Sequence, residues 1–140
     1  MTARILLTAA IAAAGLSAGP AFADDDWAGL YTAIDGKDGS VDRLSIVPNS
    51  NGTFTIHMTS TGLSLCADAG DNTAGWINAT GRLAGKALLR EHVRVTCAAT
   101  GESRDIASSR YAIHEVNDDI LMMRAPDDGR ALYYHRVSDD

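Results

Sequence analysis

Glu91 is the residue of this chain whose type and setting most invite chemistry. In the run A-L-L-R-E-H-V-R-V-T-C-A at 87–98, alternation places Leu89, Val93, Val95 and Cys97 on one face, with Glu91 among them. Arg90, His92, Arg94 and Thr96 fall on the other face. An ionised carboxylate on a dry strand face must be paired, protonated or close to solvent. The functional reading makes Glu91 the anchor for a polar group of a bound ligand, with Trp76, Tyr31, Met58 and Met122 as apolar walls. The plainer reading pairs it with an inward arginine, Arg82 or Arg124, or sets it in water at a strand end.

The other reactive side chains are dispersed. There is no H-E-x-x-H, no G-x-x-x-x-G-K-[ST], no G-x-S-x-G and no dinucleotide glycine fingerprint, so neither a catalytic residue nor a cofactor site is expected, and the chain is not read as an enzyme. His57, His92, His114 and His135 fall in four separate segments and read as surface residues, so no metal site is expected. The acid-rich turns at 35–40 and 68–71 lack calcium-loop spacing. Arg90, His92 and Arg94, with Lys86, form a basic row on the outer face, read as solvated and balanced by acids on the neighbouring strand. Cys66 and Cys97 have one intramolecular pairing open to them, and a disulfide between them closes a loop of about 30 residues.

The N-terminus sets the compartment. Arg4, an apolar run at 5–16, Pro20 and Ala21-Phe22-Ala23 read as a cleavable signal peptide over 1–23, with cleavage after Ala23. The expectation is a periplasmic or secreted protein with no membrane insertion after cleavage, and an oxidised cysteine pair suits that compartment. The sequence carries 18 acids against 12 bases, a net charge of −6, and loss of the signal removes Arg4 and no acid. That balance disfavours nucleic acid and anionic lipid as partners. Residues 24–140 have the size of a single domain.

The elements that must position these residues are short strands. Segments 27–34, 43–47, 53–61, 63–67, 76–83, 86–98, 111–116, 120–125 and 132–137 read as strands, that at 53–61 alternating most cleanly. Turn chemistry fills 35–40, 48–52, 117–119 and 126–130, while 68–75 and 100–105 read as polar loops. One helical turn has room only within 101–111. Met122-Met123 and Tyr133-Tyr134 each put one bulky residue on each face, and parity does not say which member points inward. The fold class is therefore all-β, a small antiparallel meander of 8–9 strands with one disulfide, closing as an up-and-down barrel, with a sandwich as the alternative.

Trp27-x-Gly29-x-Tyr31, followed by Asp38-Gly39-Ser40 and Leu44-x-Ile46, resembles the first hairpin of calycin-type barrels, the superfamily of lipocalins and avidins. Here Gly29-Leu30-Tyr31 has tyrosine where those chains carry tryptophan. The resemblance covers about twenty residues and implies the architecture; it transfers no ligand-contacting residue.

Two functions follow. The first is an exported β-barrel binding a small hydrophobic or amphiphilic ligand, which requires an internal pocket of a few hundred Å³. The alternative is a periplasmic protein-binding module or enzyme inhibitor with a filled core, for which Ser108-Ser-Arg-Tyr111 offers an exposed loop-to-strand junction. The partner is accordingly a small apolar ligand or a protein.

Overall fold

A computed structural model describes residues 25–107, 112–125 and 128–137. The signal peptide expected at 1–23 and the 108–111 junction lie outside the described residues. Nine strands follow one turn of 3-10 helix at Asp25–Trp27: β1 Gly29–Ile34, β2 Val41–Pro48, β3 Phe54–Ser60, β4 Gly75–Ala84, β5 Ala87–Cys97, β6 Ser103–Ile106, β7 Ile113–Asn117, β8 Ile120–Arg124 and β9 Ala131–Arg136. All neighbours are antiparallel. The order β4-β3-β2-β1-β9-β8-β7-β5-β6, with β4 also pairing β5, closes eight strands into an up-and-down barrel and leaves β6 as an extra strand. β7 pairs the lower half of β5 through Ala87 and Leu88, and β6 pairs its upper half from Val93 to Thr96.

Alternation builds the interior. Phe54, Ile56 and Met58 on β3 point inward while the residues between them are exposed. Register then sets Leu44, Met58 and Ile77 in one row and Ile46, Ile56 and Ala79 in the next. Each large apolar side chain so buried contributes about 1.5–3 kcal/mol. Tyr31 and Tyr134 enter the same core, each at most 1% exposed. Of the two ambiguous pairs, Met123 and Tyr134 face the core, while Tyr133 is exposed and Met122 is half-buried.

β5 departs from the alternation expected of it. Three residues at its upper end, Val93, Val95 and Cys97, point inward, but at its lower end the inward residues are Leu88 and Arg90. The cause is a β-bulge. Asn78 pairs Arg94 and Thr80 pairs Glu91, so β5 carries one residue more than β4 across the step. His92 supplies it, with φ 51°, the one non-glycine residue with positive φ among those described. The extra residue inverts parity below it, and the face expected for Glu91 is therefore corrected: Glu91 lies outside and Arg90 inside. The expected outer basic row loses Arg90 and keeps the exposed His92 and Arg94.

Two further expectations are corrected. The strand expected at 63–67 is 3-10 helix, Ser64–Ala69, in which Cys66 N–H donates to the Leu63 carbonyl at 2.8 Å. Leu63 and Cys66, three residues apart, are both buried, which a turn of three residues achieves and a strand does not. Residues 100–105, expected as a loop, contribute to β6, and no helical turn occupies the described part of 101–111. β6 has almost no buried side chain; its pairing rests on polar contacts, Arg94 Nε to Asp105 at 3.0 Å and Thr96 to Ser103 hydroxyls at 2.7 Å. The Cys66–Cys97 disulfide forms as expected and ties the 3-10 segment to the top of β5.

The opposite end is closed by Arg136. Its guanidinium donates to the carbonyls of Ala28 at 2.5 Å, Asp26 at 2.7 Å and Asp118 at 3.0 Å, and lies 4.8 Å from the centre of the Tyr31 ring. Gly29 is required beneath it, because a β-carbon there would sit 2.5 Å from Arg136 Nη1.

Candidate functional site

The opening into the barrel lies at the disulfide end, between the loops after β1, β3 and β8, and encloses about 90 Å³. Its walls include Met58, Ile77, Met123 and Leu132, and its polar lining includes Asp42, Ser60, Arg90 and Tyr134. β2 carries Asp42 inward two residues before Leu44, and β9, separated from β2 by β1 alone, carries Tyr134 inward. Tyr134 donates its hydroxyl to Asp42 Oδ2 at 2.6 Å and lies 3.6 Å from the Met58 sulfur. Asp42 is 8% exposed and Arg90 3%. β5 places Arg90 opposite Gly81 on β4, where a β-carbon would lie 2.9 Å from both Ile56 and Leu88.

Tyr134 is held as a hydrogen-bond donor. Burial, then the nearby Asp42 carboxylate, pushes the Tyr134 phenol far above the ordinary tyrosine range, so it stays a donor. A buried polar cluster of this kind rigidifies an otherwise apolar interior. The volume admits a few waters or a molecule of a few heavy atoms. Among the described residues no group of three or more His, Cys, Asp or Glu is gathered to hold a metal ion.

Above the opening, Arg130 ties two loops together. Its guanidinium donates to both carboxylate oxygens of Asp35 in the loop after β1, at 3.1 Å for Nη2, and its Nε donates to Asp128. Lys37 adds a contact to Asp128 at 3.5 Å. Hydrogen bonding from Arg130, then from the Lys37 amide, holds the Asp35 carboxyl below its usual range. The Arg130 guanidinium likewise holds Asp128 at about 2. Both folded-state values lie below the unfolded ones, so the stabilisation is complete above about pH 4 and is lost as pH falls toward 2. Urea midpoints for the native chain and Arg130→Gln should therefore differ by a constant amount from pH 7 to 5, and the difference should shrink from pH 4 to 2. A difference that persists at pH 2 would mean that Arg130 acts without these carboxylates.

The residues singled out from sequence scatter. Met58 lines the opening, and Tyr31 is buried at the other end beneath Arg136. Trp76 lies on the outer face, 36% exposed, and Met122 is outward on β8. Glu91 accepts from Arg82 Nε at 3.0 Å on the outer face, where both side chains are well solvated. Arg82 was one of its two expected partners, although the pair was expected to face inward. An exposed pair of this kind is worth about 0–1 kcal/mol. Glu91→Gln should thus move the unfolding free energy by less than about 0.5 kcal/mol, and a loss of several kcal/mol in urea titration would contradict the outward placement.

Sequence reasoning missed Asp42, Arg90 and Tyr134 as a group. Asp42 had a signal, since the parity of Leu44 and Ile46 carries it inward. Arg90 had none that survives the bulge. The four histidines are all exposed, and none lines this opening. Comparison of the chain with protein-family models, curated proteins and solved structures finds no match to any of them.

Proposed function

We propose that this protein is an exported, non-enzymatic binding barrel of the calycin type that works by docking a protein partner on its surface, as a binding module or enzyme inhibitor. The observation that carries this reading is the filled interior. Tyr31, Phe54, Tyr134, Leu44, Ile56, Leu88 and Ile113 are all fully buried, and the opening into the barrel encloses about 90 Å³. Ligand pockets for molecules of ordinary size take about 300–1,000 Å³. The calycin likeness draws support from Gly29-Leu30-Tyr31 lying at the closed end of an eight-stranded up-and-down barrel. Export is supported by the sequence of 1–23 and by a disulfide that persists in an oxidising compartment.

A carrier of a small hydrophobic or amphiphilic ligand is the second reading. What favours it is the same opening, where a small polar head can meet Arg90 and Asp42 below the rim. Native mass spectrometry of the chain purified from the periplasm without denaturation separates the two. A bare mass, two hydrogens lighter than the reduced chain, together with partner recovery by pull-down, supports the docking module. A reproducible extra mass released on activation replaces it with the carrier.

A further inference from the structure

The outer surface of the barrel is divided by composition. Seven large hydrophobic side chains are exposed among the described residues, and five of them lie on three neighbouring strands: Leu30 and Ile34 on β1, Val47 on β2, Tyr133 on β9 and Val137 directly after it, with a polar row of Arg43, Thr32 and His135 between the two ends. β1 is the shared neighbour, paired with β2 on one side and with β9 on the other, and Val137 N–H donates to the Leu30 carbonyl at 2.8 Å. The next strand, β8, continues the face with outward Ile120 and Met122. Trp76 and Val116, the other two, lie on β4 and β7.

The same face lacks negative charge. The outward positions of β2, β1, β9 and β8 hold no aspartate or glutamate, in a chain with 18 acids and 12 bases. Their charged residues are Arg43 on β2 and Arg124 on β8, one on each flank of the apolar stripe. The strands beyond this face are ordinary by contrast: outward Thr55, His57 and Thr59 on β3, which borders β2, and outward Asn78 and Arg82 on β4, Arg82 paired with Glu91.

Resting on the protein-docking reading above, we infer that this four-strand face is the docking surface, and that it takes a protein partner with an apolar centre and an acidic rim. Apolar patches flanked by charge mark interaction sites on proteins, and the flanking charges select the partner. A second copy of this chain does not supply the complement. Two identical faces placed together would set apolar residues against each other with two arginines from each copy and no carboxylate from either. An anionic bilayer is disfavoured by the net charge of −6, which two flanking arginines do not reverse.

The test uses site-specific cross-linking in cells expressing the full chain. p-Benzoylphenylalanine is placed in turn at Leu30, Tyr133, Trp76 and Asn78, and products are resolved by mass. The expected result is a discrete protein adduct from Leu30 and Tyr133 and none from Trp76 or Asn78. The Arg43→Glu, Arg124→Glu double variant should lower its yield at least tenfold, while Lys86→Glu, a charge reversal in the turn between β4 and β5, should leave it unchanged. Retained thermal unfolding of each variant guards against misfolding as the cause. An adduct with the mass of two copies overturns the inference in favour of self-association, and flotation of the chain with anionic phosphatidylglycerol vesicles overturns it in favour of a membrane. A protein adduct from Trp76 or Asn78 alone overturns the surface and leaves the protein-docking reading standing. No protein adduct from any position overturns both.

Discussion

Changing both Cys66 and Cys97 to alanine is expected to lower the unfolding free energy by about 4–5 kcal/mol, with a melting temperature lower by about 15–25 °C. The cross-link joins residues 31 apart, and its removal restores that loop's freedom to the unfolded chain. A native-state loss adds to it. Cys66 is 1% exposed and packs by Leu63 and Gly75, and a β-carbon on Gly75 would lie 2.6 Å from the Thr96 carbonyl and 3.1 Å from the Cys66 sulfur. That corner is too tight to close around a smaller side chain. Urea unfolding of the native chain with and without reductant isolates the chain term, because reduction leaves both sulfurs in place. The double variant should be less stable than the reduced native chain by the cavity contribution, about 1 kcal/mol or more. Equal midpoints for oxidised and reduced chains would mean that the loop is already held by the 3-10 segment and β6.

The strands were legible where one face is dry and one wet. β3 reads directly, because every second residue is apolar and its partners on β2 and β4 match it row by row. Turns read equally well, since Asp35, Asp38, Asn51, Asn117 and Asp128 each accept from the backbone N–H two residues on. β6 was not legible for the converse reason. It flanks the barrel without burying a face, so its side chains show no period. The 63–67 segment failed on period: Leu63 and Cys66 are buried three apart, which a search for alternation passes over. Choosing Tyr134 over Tyr133, or Met123 over Met122, needs the register with β8 and β9, which no local pattern contains.

The polar cluster was less legible than the fold, because its members are far apart in the chain. Asp42 and Tyr134 are 92 residues apart and meet only once β9 has paired with β1 on the side opposite β2. Arg90 was hidden by a single residue of irregularity. Glu91 drew attention for the same reason: both errors are one error, made at His92.

Deleting His92 is therefore expected to keep cooperative folding and to move the unfolding free energy by no more than about 1–2 kcal/mol, while His92→Gly should stabilise the domain by about 0.5–1 kcal/mol. A deletion inside a strand ordinarily turns one half of it over, because alternation is broken by one residue. In β5 the opposite holds, because alternation is already broken there. With the extra residue, Leu88 and Arg90 face inward below it and Val93, Val95 and Cys97 above it. Without it Glu91 precedes Val93 directly, and strict alternation sets the same five side chains inside and leaves Glu91 outside beside Arg82. The pairs Asn78–Arg94 and Thr80–Glu91 then join into one unbroken register with β4. The upper half keeps its tie from Cys97 to Cys66 and its four residue pairs to β6, and the lower half keeps its pairs to β4 and β7. What the deletion removes is the positive φ and the local bend of the bulge. The glycine variant keeps the bulge and relieves it. A φ of 51° costs a non-glycine residue about 1–2 kcal/mol, against about 0.5–1 kcal/mol for the added freedom of glycine in the unfolded chain. Tryptophan fluorescence against urea reads both variants. Loss of the sigmoidal transition in the deletion would mean that the barrel needs the bend the bulge gives β5, and that the inward and outward order of its side chains is not enough to close it.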